Sequence, residues 1–161
     1  MLCIGVGNLF RADDAAGLLA ARALQSRQLP GVRVIESTSD LSDLLSAWAA
    51  YDFVIVMDAV SSGRLPGHIH RLEARTAPLP VRPFTSSSHG FGVAEAVEIG
   101  RSLGQLPGHL IIYGIEGGDF TLGNSVTPAV ADAIAKLIEC IAVDVQAFQR
   151  DLSGPISPAH C

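Results

Sequence analysis

The sequence predicts an α/β protein: a three-layer α/β/α sandwich on a mainly parallel, twisted sheet of about five strands with helices on both faces. Three observations lead there. Segments with strand and helix periodicity alternate along the chain, the pattern of βαβ units. The run Phe53 to Met57 is apolar at every position, as a strand covered on both faces requires. Of the 161 residues 48% are hydrophobic, enough to bury a core without staples, and no internal repeat or second core interrupts them. The chain is therefore read as a single α/β domain over residues 1–150 with a flexible tail over 151–161.

Leu2 to Val6 is a short apolar strand closed by Gly7-Asn8. Ala15 to Gln28 follows as a helix, with Ala16, Leu19, Ala20, Ala23 and Leu24 at helical spacing, until Pro30-Gly31 stops it. Val32 to Glu36 is the second strand. Leu41, Leu44, Leu45 and Trp48 then fall at i, i+3, i+4 and i+7, and Asp40 and Asp43 suit the opening turn because carboxylates favour the positive end of the helix dipole. Phe53 to Met57 ends at Asp58 and belongs near the centre of the sheet. Gly67 to Leu72 alternates polar and apolar residues, as an exposed or edge strand does. Thr76 to Ser88, with Pro78, Pro80, Pro83 and the run Ser86-Ser87-Ser88, reads as a loop. Val93 to Leu103 is helical, Leu110 to Tyr113 a strand, and Gly117-Gly118 a break. Thr127 as cap and Pro128 in the first turn open a last helix whose Val130, Ile134, Leu137, Ile141, Val145 and Phe148 share one face.

Composition narrows the function. The formal net charge of -5, with no basic cluster, argues against nucleic acid or an acidic membrane surface as partner. No apolar run reaches the roughly 18–20 residues of a membrane span, and the N-terminus lacks a signal peptide's basic start and cleavage site. A soluble, cytoplasmic protein is expected. Cys3, Cys140 and Cys161, odd in number and without C-x-x-C spacing, fit reduced thiols. Several chemistries drop out on motif grounds. Phe10 stands where a dinucleotide fingerprint starting at Gly5 wants its third glycine, and there is no Walker loop, H-E-x-x-H or G-x-S-x-G. Ser86 to Ser88 adjoin His89, but neighbours in sequence seldom form a nucleophile and base pair. His68 and His70 share a strand face and could hold a metal, although two solvated imidazoles on an exposed strand are the plainer reading.

In open parallel sheets ligands bind beyond the carboxyl ends of the strands, near the point where strand order reverses. The polar residues due there are Asn8, Arg11, Asp13 and Asp14 after the first strand, Asp58 at the end of the third, His89 where a loop enters a helix, and Glu116 after the fifth. Asp14, Asp58 and His89 would bring two carboxylates and an imidazole to a divalent ion while leaving coordination positions open. Each has a plain alternative. Asp13 or Asp14 could cap the following helix, and His89 could be a loop histidine bonded to backbone. Asp58 is harder to explain away, because a carboxylate ending a buried strand is costly unless solvated or paired.

The segments G-V-G-N-L-F-R-A-D-D-A-A-G, V-I-V-M-D-A-V, S-S-H-G-F-G and Y-G-I-E, in this order and spacing, resemble the hydrogenase maturation proteases, endopeptidases that trim the C-terminus of the nickel-iron hydrogenase large subunit. The resemblance runs to about Phe148. It implies that Asp14, Asp58 and His89 bind the nickel of the immature subunit and carry the catalysis, with nickel brought by the substrate and not held as a resident cofactor. Asn8 and Arg11 are expected to bind substrate or to shape the turn, Glu116 to bind substrate by orienting a ligand or else to bond to backbone, Asp13 to cap the helix, and Phe91 and Leu65 are candidate partner contacts. Two positions depart from the family pattern: Ala15 stands where Gly is usual, and Gly117 follows G-I-E where Pro is frequent, which predicts a looser loop. The implied partner is the precursor of a nickel-iron hydrogenase large subunit, and a monomer is expected. Two alternatives stay open: a non-catalytic, nickel-sensing chaperone of the same precursor, and an unrelated small-molecule hydrolase on the same layered sheet.

Overall fold

The computed structural model describes residues 1–37, 40–76 and 92–153. Its strands are β1 (Leu2–Val6), β2 (Arg33–Ser37), β3 (Phe53–Val60), β4 (Ile69–Glu73) and β5 (His109–Glu116). Its helices are α1 (Ala16–Ser26), α2 (Leu41–Trp48), α3 (Val93–Ser102) and α4 (Pro128–Ser153), with a 3-10 turn at Ala12–Ala15 leading into α1. The five strands form one sheet in the order β2-β1-β3-β5-β4, parallel except for β4, which runs antiparallel to β5. The expected mainly parallel sheet is present, and Gly67 to Leu72 lies at an edge as its alternation predicts.

Side-chain alternation along the strands divides the core into two layers. Cys3, Ile55, Met57, Ile111, Tyr113 and Ile115 pack under α1 and α4, while Leu2, Ile4, Val6, Val54, Val56 and Ile112 pack under α2 and α3. β3 is buried at every position because it is the middle strand with helices on both faces. Asp40 caps α2, its carboxylate accepting from the Ser42 amide at 2.9 Å.

Several element ends shift by a residue or two from the sequence reading, and three differences have a clear cause or consequence. β3 continues through Asp58 to Val60, because the ladder to β5 pairs Asp58 with Gly114 and Val60 with Glu116 whatever the polarity of the side chain. Glu116 is for the same reason the last residue of β5 and does not follow it. α4 runs to Ser153 and so takes in the first residues assigned to the tail, whereas residues 154–161 lie outside those described.

Strand order reverses between β1 and β3: the chain leaves β1 through α1 to β2 on one side, and β3 lies on the other. Helix α1 is seated at this junction by a close approach. A Cβ on Gly17 would lie 2.2 Å from the Val6 carbonyl oxygen and 2.3 Å from that of Met57, so only glycine lets the helix start this close to both strands.

Candidate active site

The segment joining β1 to α1 folds back on itself. Gly7 has φ 150, and a Cβ there would stand 2.0 Å from the Asp14 carbonyl oxygen. The Asn8 amide donates to that same oxygen at 3.1 Å, while the Asn8 side-chain oxygen accepts from the Phe10 amide at 2.9 Å in an Asx turn. Asn8 therefore shapes the turn. The guanidinium of Arg11 donates to the Phe120 carbonyl at 3.1 and 3.2 Å, tying the turn to the loop between β5 and α4. Backbone bonds reinforce the tie: Ala12 donates to Gly123 O at 3.0 Å, Gly123 to Phe10 O at 3.0 Å, and Asp13 to Asp119 O at 2.9 Å.

Asp13 does not cap α1. Fully buried, its carboxylate accepts from the amides of Gly118 (2.8 Å), Asp119 (3.0 Å) and Thr127 (2.6 Å) and from the Thr127 hydroxyl (3.0 Å). It thus satisfies backbone donors of a loop more than a hundred residues away. This also bears on the two departures from the family pattern. Ala15 adopts ordinary right-handed helical geometry, φ -76 and ψ -7, and so does not need to be glycine. The Gly117 amide donates to Val60 O at 2.9 Å, a bond proline could not make, and Asp13 secures the two amides that follow, so the loop is anchored and not loose.

Asp14 is the next residue of the 3-10 turn, its amide donating to Arg11 O at 2.9 Å. It is 8% exposed and Asp58 2%. The two carboxylates meet at the β1–β3 junction, near enough for charge repulsion to be felt. Burial first, and then the charge of Asp14, hold the Asp58 carboxyl well above the ordinary aspartate range, although the Ala59 amide donates to it at 2.8 Å. A pair of this kind either shares a proton or recruits a cation. Among the described residues no three His, Cys, Asp or Glu side chains gather closely enough to hold a metal ion, so a cation at the pair needs a donor from elsewhere. His89, the third predicted ligand, and Phe91 lie outside the described residues, as does the Thr76 to Ser88 loop beyond Thr76.

Glu116 does a different job from the aspartate pair. One oxygen accepts from the amides of Ser62 (2.7 Å) and Gly63 (2.9 Å); the other contacts the Ser62 hydroxyl (2.7 Å) and His70 Nε2 (3.0 Å). Burial raises its pKa, but these bonds outweigh it and hold the carboxyl below the ordinary glutamate value. His70 is accordingly half-buried against Glu116 and is not a solvated imidazole, with the His68 ring edge-on at 4.7 Å. Sequence reasoning missed the Asp13 clamp on the last loop, whereas a bond to backbone was one of its two readings of Glu116, which clamps the β3–β4 loop. The Gly117-Gly118 pair was the available signal, since closely spaced loop amides invite a buried acceptor.

The sequence profile described as hydrogenase maturation protease matches residues 19–143, a stretch that starts just after Asp14 and includes Asp58 and Glu116. The chain belongs to the hydrogenase maturation protease family. Among related proteins of the family, the hydrogenase 2 maturation protease of Escherichia coli strain K12 is 30% identical over 144 residues, covering 86% of each chain. The hydrogenase expression/formation protein HupD of Thiocapsa roseopersicina is 29% identical over 142 residues, covering 86% of this chain but 64% of that protein's length. The fold is that of solved maturation endopeptidases. HybD from E. coli superposes with a TM-score of 0.78 at 25% identity, covering 91% of this chain and 92% of that one. The solution structure of an endopeptidase from Escherichia coli gives 0.76 at 28% identity, covering 91% and 93%.

Proposed function

We infer that this maturation protease is an endopeptidase that removes the C-terminal peptide from the nickel-loaded precursor of a nickel-iron hydrogenase large subunit. The observation that carries the reading is the meeting of Asp14 and Asp58 at the β1–β3 junction, where burial and mutual repulsion make a proton or a divalent ion welcome. Nickel is cargo of the substrate. Asp14 and Asp58 supply two of its donors, and His89 is the third that the family resemblance assigns. The ion repels the proton from Asp58, so the pair closes on a loaded precursor and not on an empty one. Coordination then brings the scissile bond to the carboxylates. A carboxylate freed of its proton can accept one from a water attacking the peptide carbonyl and return it to the departing amine, so that one C–N bond breaks as one C–O bond forms. Asn8, Arg11 and Glu116 serve substrate binding through the loops they hold in place.

The test is incubation with nickel-loaded and nickel-free precursors, with the mass of each precursor followed to detect release of its C-terminal peptide. The loaded form is expected to lose its peptide and the nickel-free form to stay intact. Asp14→Asn and Asp58→Asn are each expected to abolish processing while keeping the circular dichroism spectrum of the parent. Normal cleavage by both variants would overturn the assignment; equal cleavage of the nickel-free form would remove the metal recognition alone.

A further inference from the structure

The protein carries a groove that its aspartate pair leaves unexplained. It has a volume of about 910 Å³, within the range of pockets that bind compact ligands, and opens between the carboxyl ends of β1 and β2 and helix α2. Ile4, Leu18, Ile35, Leu44 and Ala47 line it, and Phe10, 71% exposed, stands at its mouth.

Three features tie this groove to the reaction. Its inner wall is Gly7-Asn8-Leu9-Phe10, the turn whose Asn8 amide donates to the Asp14 main-chain carbonyl, so the wall is bonded to the backbone that carries the Asp14 carboxylate. Its floor is on the correct side of the sheet. Ile4 of β1 and Val54, Val56 and Val60 of β3 all belong to the α2–α3 face, and Asp58 falls between Val56 and Val60 in the same alternation. The distance also fits. Ile4 is in register with Val56 on one side and Ile35 on the other, so at about 4.8 Å per strand the floor reaches about 10 Å across from the Asp58 strand, a span of about three extended residues.

We propose that the groove is a subsite for the precursor segment flanking the scissile bond, taking about three extended residues with apolar side chains across the ends of β1 and β2. This rests on the endopeptidase reading above. The charges at the outer wall sharpen it: Glu36 is held by Arg22 at 2.8 and 3.0 Å, whereas Asp43, exposed on the first turn of α2, lines the groove. An acidic residue in the bound segment is therefore disfavoured, and a neutral or basic one accepted.

The test uses the full-length protein and a full-length nickel-loaded precursor, with peptide release followed by mass spectrometry. Ala47→Phe fills the groove from α2 without touching Asp14 or Asp58. It is expected to raise KM about ten-fold or more, with kcat within about three-fold of the parent and the thermal midpoint retained. Asp43→Lys tests the wall's charge. For a precursor in which an acidic residue replaces an apolar one beside the scissile bond, it is expected to raise kcat/KM about ten-fold over the parent protein. An unchanged KM for folded Ala47→Phe, or an unchanged preference for Asp43→Lys, overturns the subsite and leaves the endopeptidase reading standing. A loaded precursor left intact by the unmodified protein overturns both.

Discussion

Glu116 and Asp58 sit on adjacent strands, both almost fully buried, and their carboxyls shift in opposite directions. The difference is in their partners. Asp58 faces another carboxylate and a single amide, while Glu116 faces two amides, a hydroxyl and an imidazole. Because the folded-state pKa of Glu116 is lowered, the folded protein holds its proton less tightly than the unfolded chain. Its stabilisation is then fully present above the ordinary glutamate value of about 4.3 and is lost as pH falls through the folded value. Glu116→Gln is expected to cost on the order of 2 kcal/mol at neutral pH, and progressively less as pH falls below the ordinary glutamate value toward the lowered folded value, where the parent is itself protonated. Urea unfolding at several pH values checks this, and a deficit of the same size at every pH would contradict it. At this scale the sequence was only partly legible. The aspartate at the end of an apolar run marked Asp58 as unusual, whereas nothing local distinguishes Glu116, whose partners Ser62, Gly63 and His70 are brought to it by the β3–β4 loop and β4.

The turn between β1 and α1 compresses several requirements into a few residues. Ala12 is held at φ 41, in the left-handed region, because its amide reaches Gly123 O while Asp13 and Asp14 must already be turning into the helix. A side chain there costs about 1 kcal/mol relative to glycine. Ala12→Gly is therefore expected to raise the thermal midpoint by about 2–4 °C, measurable by calorimetry. A lowered or unchanged midpoint would show that the surrounding bonds impose no strain. Elements of this kind explain where sequence reading succeeded. Apolar periodicity located β1, α1, β3 and α4, since burial on one or both faces leaves a local trace. The end of β3 was misplaced because hydrogen-bond pairing with β5 continues past a polar residue. The role of Asp13 was misread because capping α1 and clamping a distant loop require the same residue type.

Across the whole molecule the two layers differ in what they offer. The α1–α4 side is a continuous apolar core that includes Cys3, whereas the α2–α3 side carries both the groove and the face from which Asp58 projects. Burial pushes the Cys3 thiol up to about 12, only partly offset by the nearby N-terminal charge, while Cys140 is exposed on α4. Native protein treated with iodoacetamide at neutral pH is expected to be labelled at Cys140 and protected at Cys3, with Cys3 reacting only as the protein unfolds. Peptide mapping reads both sites, and labelling of Cys3 at the rate of Cys140 would indicate that the first strand opens independently of the core. The layered architecture was legible in the sequence because it depends on patterns repeated over many residues. The aspartate pair was anticipated from a general rule about strand ends, whereas the groove was not, since its walls come from β1, β2, α1 and α2 and share no common motif.

The clamp made by Asp13 also sets an order of events during synthesis. Its carboxylate is the acceptor for amides 105, 106 and 114 positions downstream, so a ribosome that has passed Asp14 and Asp58 but not yet reached Gly118 has produced none of the donors that brace the turn carrying Asp14. Until they follow, the emerging polypeptide carries this turn unbraced, and the turn is secured only when Thr127 clears the exit tunnel.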